Sequence, residues 1–202
     1  TEATSYEENQ LFATLDPMTK KCILPSGFTV LITDTVGFIQ DLPTSLIAAF
    51  RSTLEEVKEA DLLLHVVDTS NPDYFQHEQT VDQLLEELET SHIQQLTVYN
   101  KKDIQHPDFV PSTKNDSIQI STLVDNDRER LKQLMETKVI GVMKDYHVDV
   151  PSSEGKLLSQ LKNETILREL AFHEEKQLYI CKGYTLVDHP IFGQLQKYKV
   201  KG

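Results

Sequence analysis

Four short apolar runs punctuate the first part of the chain: "FTVLIT" (28–33), "LLLHVV" (62–67), "LTVY" (96–99) and "SIQIS" (117–121). Each is nearly continuous rather than alternating, the pattern of strands buried on both faces. Between them, apolar residues recur every three or four positions. Leu46, Ile47, Phe50, Leu54 and Val57 form one such set, Val81, Leu84, Leu85 and Leu88 a second, and Leu131, Leu134 and Met135 a third. That spacing predicts helices. Strands alternating with helices predict an α/β fold whose mainly parallel, doubly wound sheet carries helices on both faces. Pro43-Thr44-Ser45 marks a helix start, and Thr69-Ser70-Asn71-Pro72 closes the second strand.

Beyond Pro151 the texture changes. "SSEGKLLSQLKNETILRELAF" reads as helix, broken near Lys162-Asn163. "KQLYICKGYTLVDHPIFGQLQKYKV" reads as two strand-like segments joined through Gly183, with a turn around His189-Pro190. The expected division is a larger domain over residues 1–147 and a small C-terminal α+β domain over 148–202. Charge follows the same division: residues 1–150 carry 12 Lys+Arg against 26 Asp+Glu, whereas residues 151–202 carry 8 against 6. So acidic a first segment is repelled by phosphate backbones and is no nucleic-acid grip by itself.

The remaining totals narrow the class. A chain of 202 residues can bury a core and hold one medium domain plus an appendage. No apolar run reaches the roughly 18 residues of a membrane span, so no span is expected. Cys22 and Cys181 lie far apart without metal-ligand spacing, and reduced thiols in the cytoplasm are the expectation.

In open parallel sheets ligands bind at the carboxyl ends of strands. Here those ends carry Asp34, Asp68, Asn100 with Asp103, and Ser121. "DTVG" (34–37) has the form D-x-x-G: a carboxylate placed to hold magnesium through water, and a glycine whose N–H can approach a terminal phosphate. "NKKD" (100–103) has the form N-K-x-D. Asp103 can accept two hydrogen bonds from guanine's ring N–H and exocyclic amine, Asn100 lines the other edge, and the Lys101 stem can lie along the base. Such a site rejects adenine because the mismatch strands a carboxylate. "ISTL" (120–123) places Ser121 one strand further on, where a backbone N–H could reach the guanine carbonyl. Each motif alone is weak, but their order at successive strand ends points to guanine-nucleotide binding. Asp68 reads as a strand-end cap, since the acidic cluster a phosphoacceptor site needs is not evident.

With these motifs in place, the sequence resembles the HflX family, ribosome-associated GTPases of the Obg–HflX group of P-loop GTPases. The resemblance rests on "LFATLDPMTKK" (11–21), "LITDTVGFIQDLPTSLIAAFRSTLEEVKEADLLLHVVDTSNP" (31–72) and "YNKKD" (99–103). It implies that Thr14 ligates magnesium and senses the γ-phosphate, within a nucleotide-facing loop that includes Phe12, Ala13, Leu15 and Asp16. Asp34, Thr35, Val36 and Gly37 resemble the entry to the second switch. Asn100, Lys101, Lys102 and Asp103 resemble the base reader, and Ser121 with Thr122 the last guanine contact. That turn is usually Ser-Ala, so Thr122 departs from the pattern. Phe38 stands where related GTPases carry a water-positioning glutamine. A phenylalanine cannot orient water by hydrogen bonding, so intrinsic hydrolysis is expected to be slow and to need a partner.

A GTPase of this kind uses G-x-x-x-x-G-K-[ST] to cradle phosphates. The 202 residues contain none; Gly155-Lys156 is followed by Leu157 and reads as a helix start. "TEATSYEEN" resembles the stretch just after the phosphate-loop helix, so a G domain truncated at its N-terminus is expected. The family's RNA-contacting N-terminal domain is likewise expected to lie outside these residues. Two consequences are expected: weak GTP binding by this polypeptide alone, and a sheet edge open to pairing or oligomer formation. The resemblance implies GTP/GDP and Mg2+ as cofactors and the large ribosomal subunit as partner. Ribosomal RNA would be met mainly by the N-terminal domain and ribosomal proteins by this half. The implied activity is GTP hydrolysis coupled to separation or rescue of stalled ribosomes under stress. Two alternatives stay open at this stage, a non-catalytic interaction module and a signalling GTPase unrelated to ribosomes.

Overall fold

The computed structural model describes residues 18–34 and 56–200. The site residues Phe12, Ala13, Thr14, Leu15, Asp16, Thr35, Val36, Gly37 and Phe38, and the helix expected from Leu46 onward, lie outside the described residues.

Strand β1 (Met18–Ile23) pairs antiparallel with β2 (Thr29–Asp34), Met18 opposite Asp34 and Ile23 opposite Thr29. The first strand was not expected, because its Thr-Lys-Lys run carries no apolar signal. It forms because the turn closes: Gly27 adopts φ +87°, and its N–H donates to the Leu24 carbonyl at 2.8 Å.

The central sheet is parallel, as expected. Strands β3 (Leu62–Asp68), β4 (Gln94–Asn100) and β5 (Asp116–Gln119) lie in the order β3-β4-β5. Helix α1 (Tyr74–Glu87) links β3 to β4, and α2 (Asp125–Val142) follows β5. β4 is buried on both faces. Leu96 and Val98 join Leu24, Ile118, Ile120 and Met135 in one core cluster, against which Val30 and Ile32 of the hairpin pack. On the opposite face Tyr99 meets Val67 and Phe109. β3 is an end strand among the described residues, and its Val66 is exposed.

The C-terminal sheet is antiparallel. β6 (Lys144–Pro151), β7 (Ile166–His173) and β8 (Leu178–Thr185) lie in the order β6-β8-β7. Helices α3 (Gly155–Glu164) and α4 (Pro190–Leu195) cover one face. There Leu157, Leu161, Ile191 and Leu195 pack on Tyr146, Val148, Val150 and Cys181. Burial pushes the Tyr146 hydroxyl up to about 12 and the Cys181 thiol up to about 11, so both stay protonated.

Two expectations fail here. The helix over 152–172 ends at Glu164, and Ile166–His173 is strand. The Thr165 hydroxyl donates to the Leu161 carbonyl at 2.6 Å and accepts from Tyr146, closing the helix end. Pairing with β8 then outweighs the helical propensity of Leu167–Ala171. Second, Gly183 joins no two segments but lies inside β8, and the stretch after it becomes α4. His189 caps that helix, its ring nitrogen accepting the Ile191 N–H at 3.3 Å, and Pro190 occupies the first turn, where its missing N–H costs nothing. Strand β6 runs without a break through residues 147 and 148 and opens the antiparallel sheet at Lys144.

The two sheets meet along α2. Val139, Met143 and Ile166 share a cluster that Phe28, Val30 and Tyr184 contact. Buried Glu136 accepts the Ser26 N–H at 2.7 Å and the Arg168 guanidinium at 3.0 Å, joining the hairpin turn, α2 and β7. No helix among the described residues is long and apolar enough to cross a membrane.

Candidate nucleotide-binding site

The N-K-x-D loop leaves the carboxyl end of β4 under unusual restraint. The Asn100 carbonyl accepts both the Thr69 N–H (3.0 Å) and the Thr69 hydroxyl (2.8 Å), tying the exits of β3 and β4 together. Lys101 adopts φ 64°, ψ 35°, a left-handed conformation rare for a residue with a Cβ. This reverses the chain into a single 3-10 turn, Lys102–Ile104, whose Ile104 N–H donates back to the Lys101 carbonyl at 3.0 Å. The Lys102 N–H reaches the Ile120 carbonyl at 3.1 Å, and the Ile120 N–H reaches Tyr99 at 2.9 Å. The base-reading loop and the Ser121 turn are thus held side by side.

Their side chains are positioned as closely. Lys101 Nζ lies 2.7 Å from Asp68 Oδ2, while Asp68 Oδ1 accepts the Ser70 N–H and hydroxyl at 3.0 and 2.6 Å. Burial opposes ionisation of Asp68, but the Lys101 ammonium and the Ser70 donors outweigh it and hold the carboxyl below its ordinary value. Asp68 is therefore the strand-end cap expected and also the anchor of Lys101, a role the sequence pattern did not reveal. The Asn100 side-chain oxygen accepts the Thr122 N–H at 3.2 Å.

Asp127, on the first turn of α2, is 3% exposed. Its Oδ2 accepts the Ser121 N–H at 2.9 Å and the Lys102 ammonium at 3.1 Å, and its Oδ1 accepts Arg130 at 3.1 Å. The Ser121 N–H, then Lys102, hold its carboxyl below the ordinary range. The Ser121 N–H is thus committed to Asp127. Thr122 carries the N–H that faces Asn100. Nothing in "DNDRE" (125–129) sets Asp127 apart from ordinary helix-start acidity; only the fold shows its partner six residues back.

Asp103 lies in the 3-10 turn, is exposed, and has no hydrogen-bond or ion-pair partner among the described residues. Its carboxylate is available to a ligand. Beneath the loop, Tyr99 is fully buried. Its hydroxyl accepts the Ser112 and Thr113 N–H groups at 3.1 and 3.0 Å and donates to Glu78 at 2.8 Å. Glu78 also accepts the Ser112 hydroxyl, so the return from the 3-10 turn to β5 is pinned to α1. A satisfied buried network of this kind fixes the segment that returns to β5.

Asp34 closes β2, exposed, and no hydrogen bond or ion pair joins it to the Asn100–Asp103 group among the described residues. A single open carboxylate at a strand end suits a cation held through water. No cluster of three metal-ligating side chains forms among the described residues, and Thr14, the other expected ligand, lies outside them.

Comparison with known proteins places this geometry. The family model described as "50S ribosome-binding GTPase" matches residues 1–101. "GTPase HflX" of Alkalihalophilus pseudofirmus is 49% identical over 201 residues, covering 100% of this chain and 48% of that protein. "GTPase HflX" of Escherichia coli is 34% identical over 194 residues, 93% of this chain and 45% of that protein. This chain thus spans about half the length of the curated relatives it matches. The crystal structure of a GTP-binding protein from Sulfolobus solfataricus in complex with GDP is alike in fold. It superposes with a TM-score of 0.53 at 24% identity, over 69% of this chain and 49% of that one. The parallel sheet and this likeness give the chain an α/β fold of P-loop GTPase type. The chain belongs to the 50S ribosome-binding GTPase family and, within it, to the HflX group.

Proposed function

We propose that this chain forms the guanine-reading half, and the adjoining C-terminal unit, of a factor that binds and hydrolyses GTP on the large ribosomal subunit. In this reading the C-terminal unit begins with β6. The observation that carries the reading is the locked N-K-x-D loop, in which the Asn100, Lys101 and Lys102 side chains each hold a partner while the Asp103 carboxylate has none among the described residues. Guanine presents the donor pair that such a carboxylate accepts. Lys101, held by Asp68, lays its stem along the base, and the Thr122 N–H meets the base carbonyl by exchanging its bond to Asn100.

Magnesium supplies charge neutralisation at the terminal phosphate when bound; Asp34 would hold it through water and Thr14 directly. Phe38 offers no hydrogen bond to an attacking water, so the polypeptide turns over slowly alone and faster on the subunit. Separation or rescue of stalled ribosomes under stress is the role this reading gives it, in the cytoplasm. Residues 1–202 by themselves bind GTP weakly, because no G-x-x-x-x-G-K-[ST] occurs among them to cradle the phosphates.

The test is GTP turnover by the polypeptide as its gene encodes it, with and without purified large subunits. Stimulation by subunits supports the reading. Subunit binding that ignores nucleotide, with no stimulation, supports an interaction module instead.

A further inference from the structure

We propose that Asp127 is a positioning residue for guanine recognition: its carboxylate fixes the Ser121–Thr122 turn so that the Thr122 N–H faces the base. This rests on the guanine-reading function proposed above. Three elements converge on one carboxylate. The turn contributes the Ser121 N–H (2.9 Å), the N-K-x-D loop contributes the Lys102 ammonium (3.1 Å), and α2 contributes Arg130 (3.1 Å).

Ser121 is 1% exposed, so its N–H has no water to turn to. A buried donor left unmet is costly, and without Asp127 the peptide would rotate towards any acceptor it could find. The Asn100 side-chain oxygen, which accepts the next N–H along at 3.2 Å, is one such acceptor. Were the Ser121 N–H to take it, Thr122 would be turned away from the base. Asp127 prevents that exchange. Its place on the first turn of an 18-residue helix favours the ionised form and sets its height against the turn. The Lys102 ion pair is half exposed at the lysine and is the lesser contribution; the Ser121 acceptor bond is the essential one.

The distinguishing probe is 6-thio-GDP, which replaces the base carbonyl oxygen by a larger, weaker acceptor and leaves the edge read by Asp103 unchanged. Affinities for GDP and 6-thio-GDP are measured by titration on the gene-encoded polypeptide carrying Asp127→Ala, Asp127→Asn or Arg130→Met. The expectation is that Asp127→Ala weakens GDP about tenfold, the scale of one hydrogen bond in a buried network, and 6-thio-GDP far less, so that discrimination collapses. Asp127→Asn keeps an acceptor for the Ser121 N–H and preserves the discrimination, as does Arg130→Met, which removes only an outer ion pair of Asp127. If Asp127→Ala does not fold, Asp127→Ser, whose shorter side chain cannot reach the Ser121 N–H, takes its place with the same expected loss.

Equal weakening of both nucleotides, or Asp127→Asn behaving as Asp127→Ala, overturns the positioning role and leaves Asp127 a stability residue. Failure of the unsubstituted polypeptide to bind GDP at all overturns the functional reading, and the positioning role with it.

Discussion

Lys101 and Asp68 form an ion pair at the exits of neighbouring parallel strands, ammonium to carboxylate 2.7 Å, with Asp68 in register opposite Asn100. The pair is nearly half exposed at both ends, so its value lies in aim more than in stability. Asp68→Ala is expected to change the unfolding free energy by less than ~1 kcal/mol while weakening GDP binding several-fold, because the Lys101 stem loses its fixed direction. Urea denaturation and nucleotide titration on one preparation check both. A large stability loss with unchanged affinity would mean that Asp68 serves the fold alone.

The C-terminal sheet offers a test of packing. A Cβ built on Gly183 would sit 2.3 Å from the Ile166 carbonyl oxygen and 2.6 Å from the Tyr146 hydroxyl. The first is backbone in the paired strand and cannot swing aside. Gly183→Ala is therefore expected to cost about 3 kcal/mol, at the upper end of overpacking, read as a fall in denaturant midpoint. A neutral result would mean that β7 and β8 are not paired at that register.

Acid sensitivity has an identifiable source. His65 is buried near Asp82, at 3.7 Å, and Glu78, and burial lowers its pKa below the ordinary 6.5 despite these two carboxylates. The unfolded chain thus takes up a proton at this residue before the folded one does. Stability is fully present above about 6.5 and declines as pH falls through that value towards the depressed folded pKa. Replacing His65 with glutamine is expected to flatten the decline between pH 7 and 5, measured as midpoint against pH. An unchanged slope would place the acid response elsewhere.

How far the chain could be read in advance depended on whether the relevant force was local. β4 and its N-K-x-D exit were legible, because a strand buried on both faces has a continuous apolar run and its motif follows immediately. β1 was not, since its polar sequence becomes a strand only through pairing with β2. β7 was misread for a similar reason: Leu167–Ala171 has helical composition, and the ladder with β8 overrides it. Within the site, Asn100, Lys101 and Asp103 were identifiable by type and spacing. Asp127 and the Asp68–Lys101 pair were not, because each joins residues that only the tertiary fold brings together.

The central claim is that Asp103 reads guanine through the base's two adjacent donors. Substituting Asp103 with asparagine replaces one acceptor oxygen by an amine, which suits xanthine, whose second carbonyl stands where guanine carries its amine. The measurement is the affinity of the gene-encoded polypeptide for GDP and for xanthosine diphosphate, before and after Asp103→Asn. The account predicts that preference inverts, GDP weakening and xanthosine diphosphate strengthening by ten- to a hundredfold or about 1.4–2.7 kcal/mol each. Unchanged preference for GDP in the variant would contradict it.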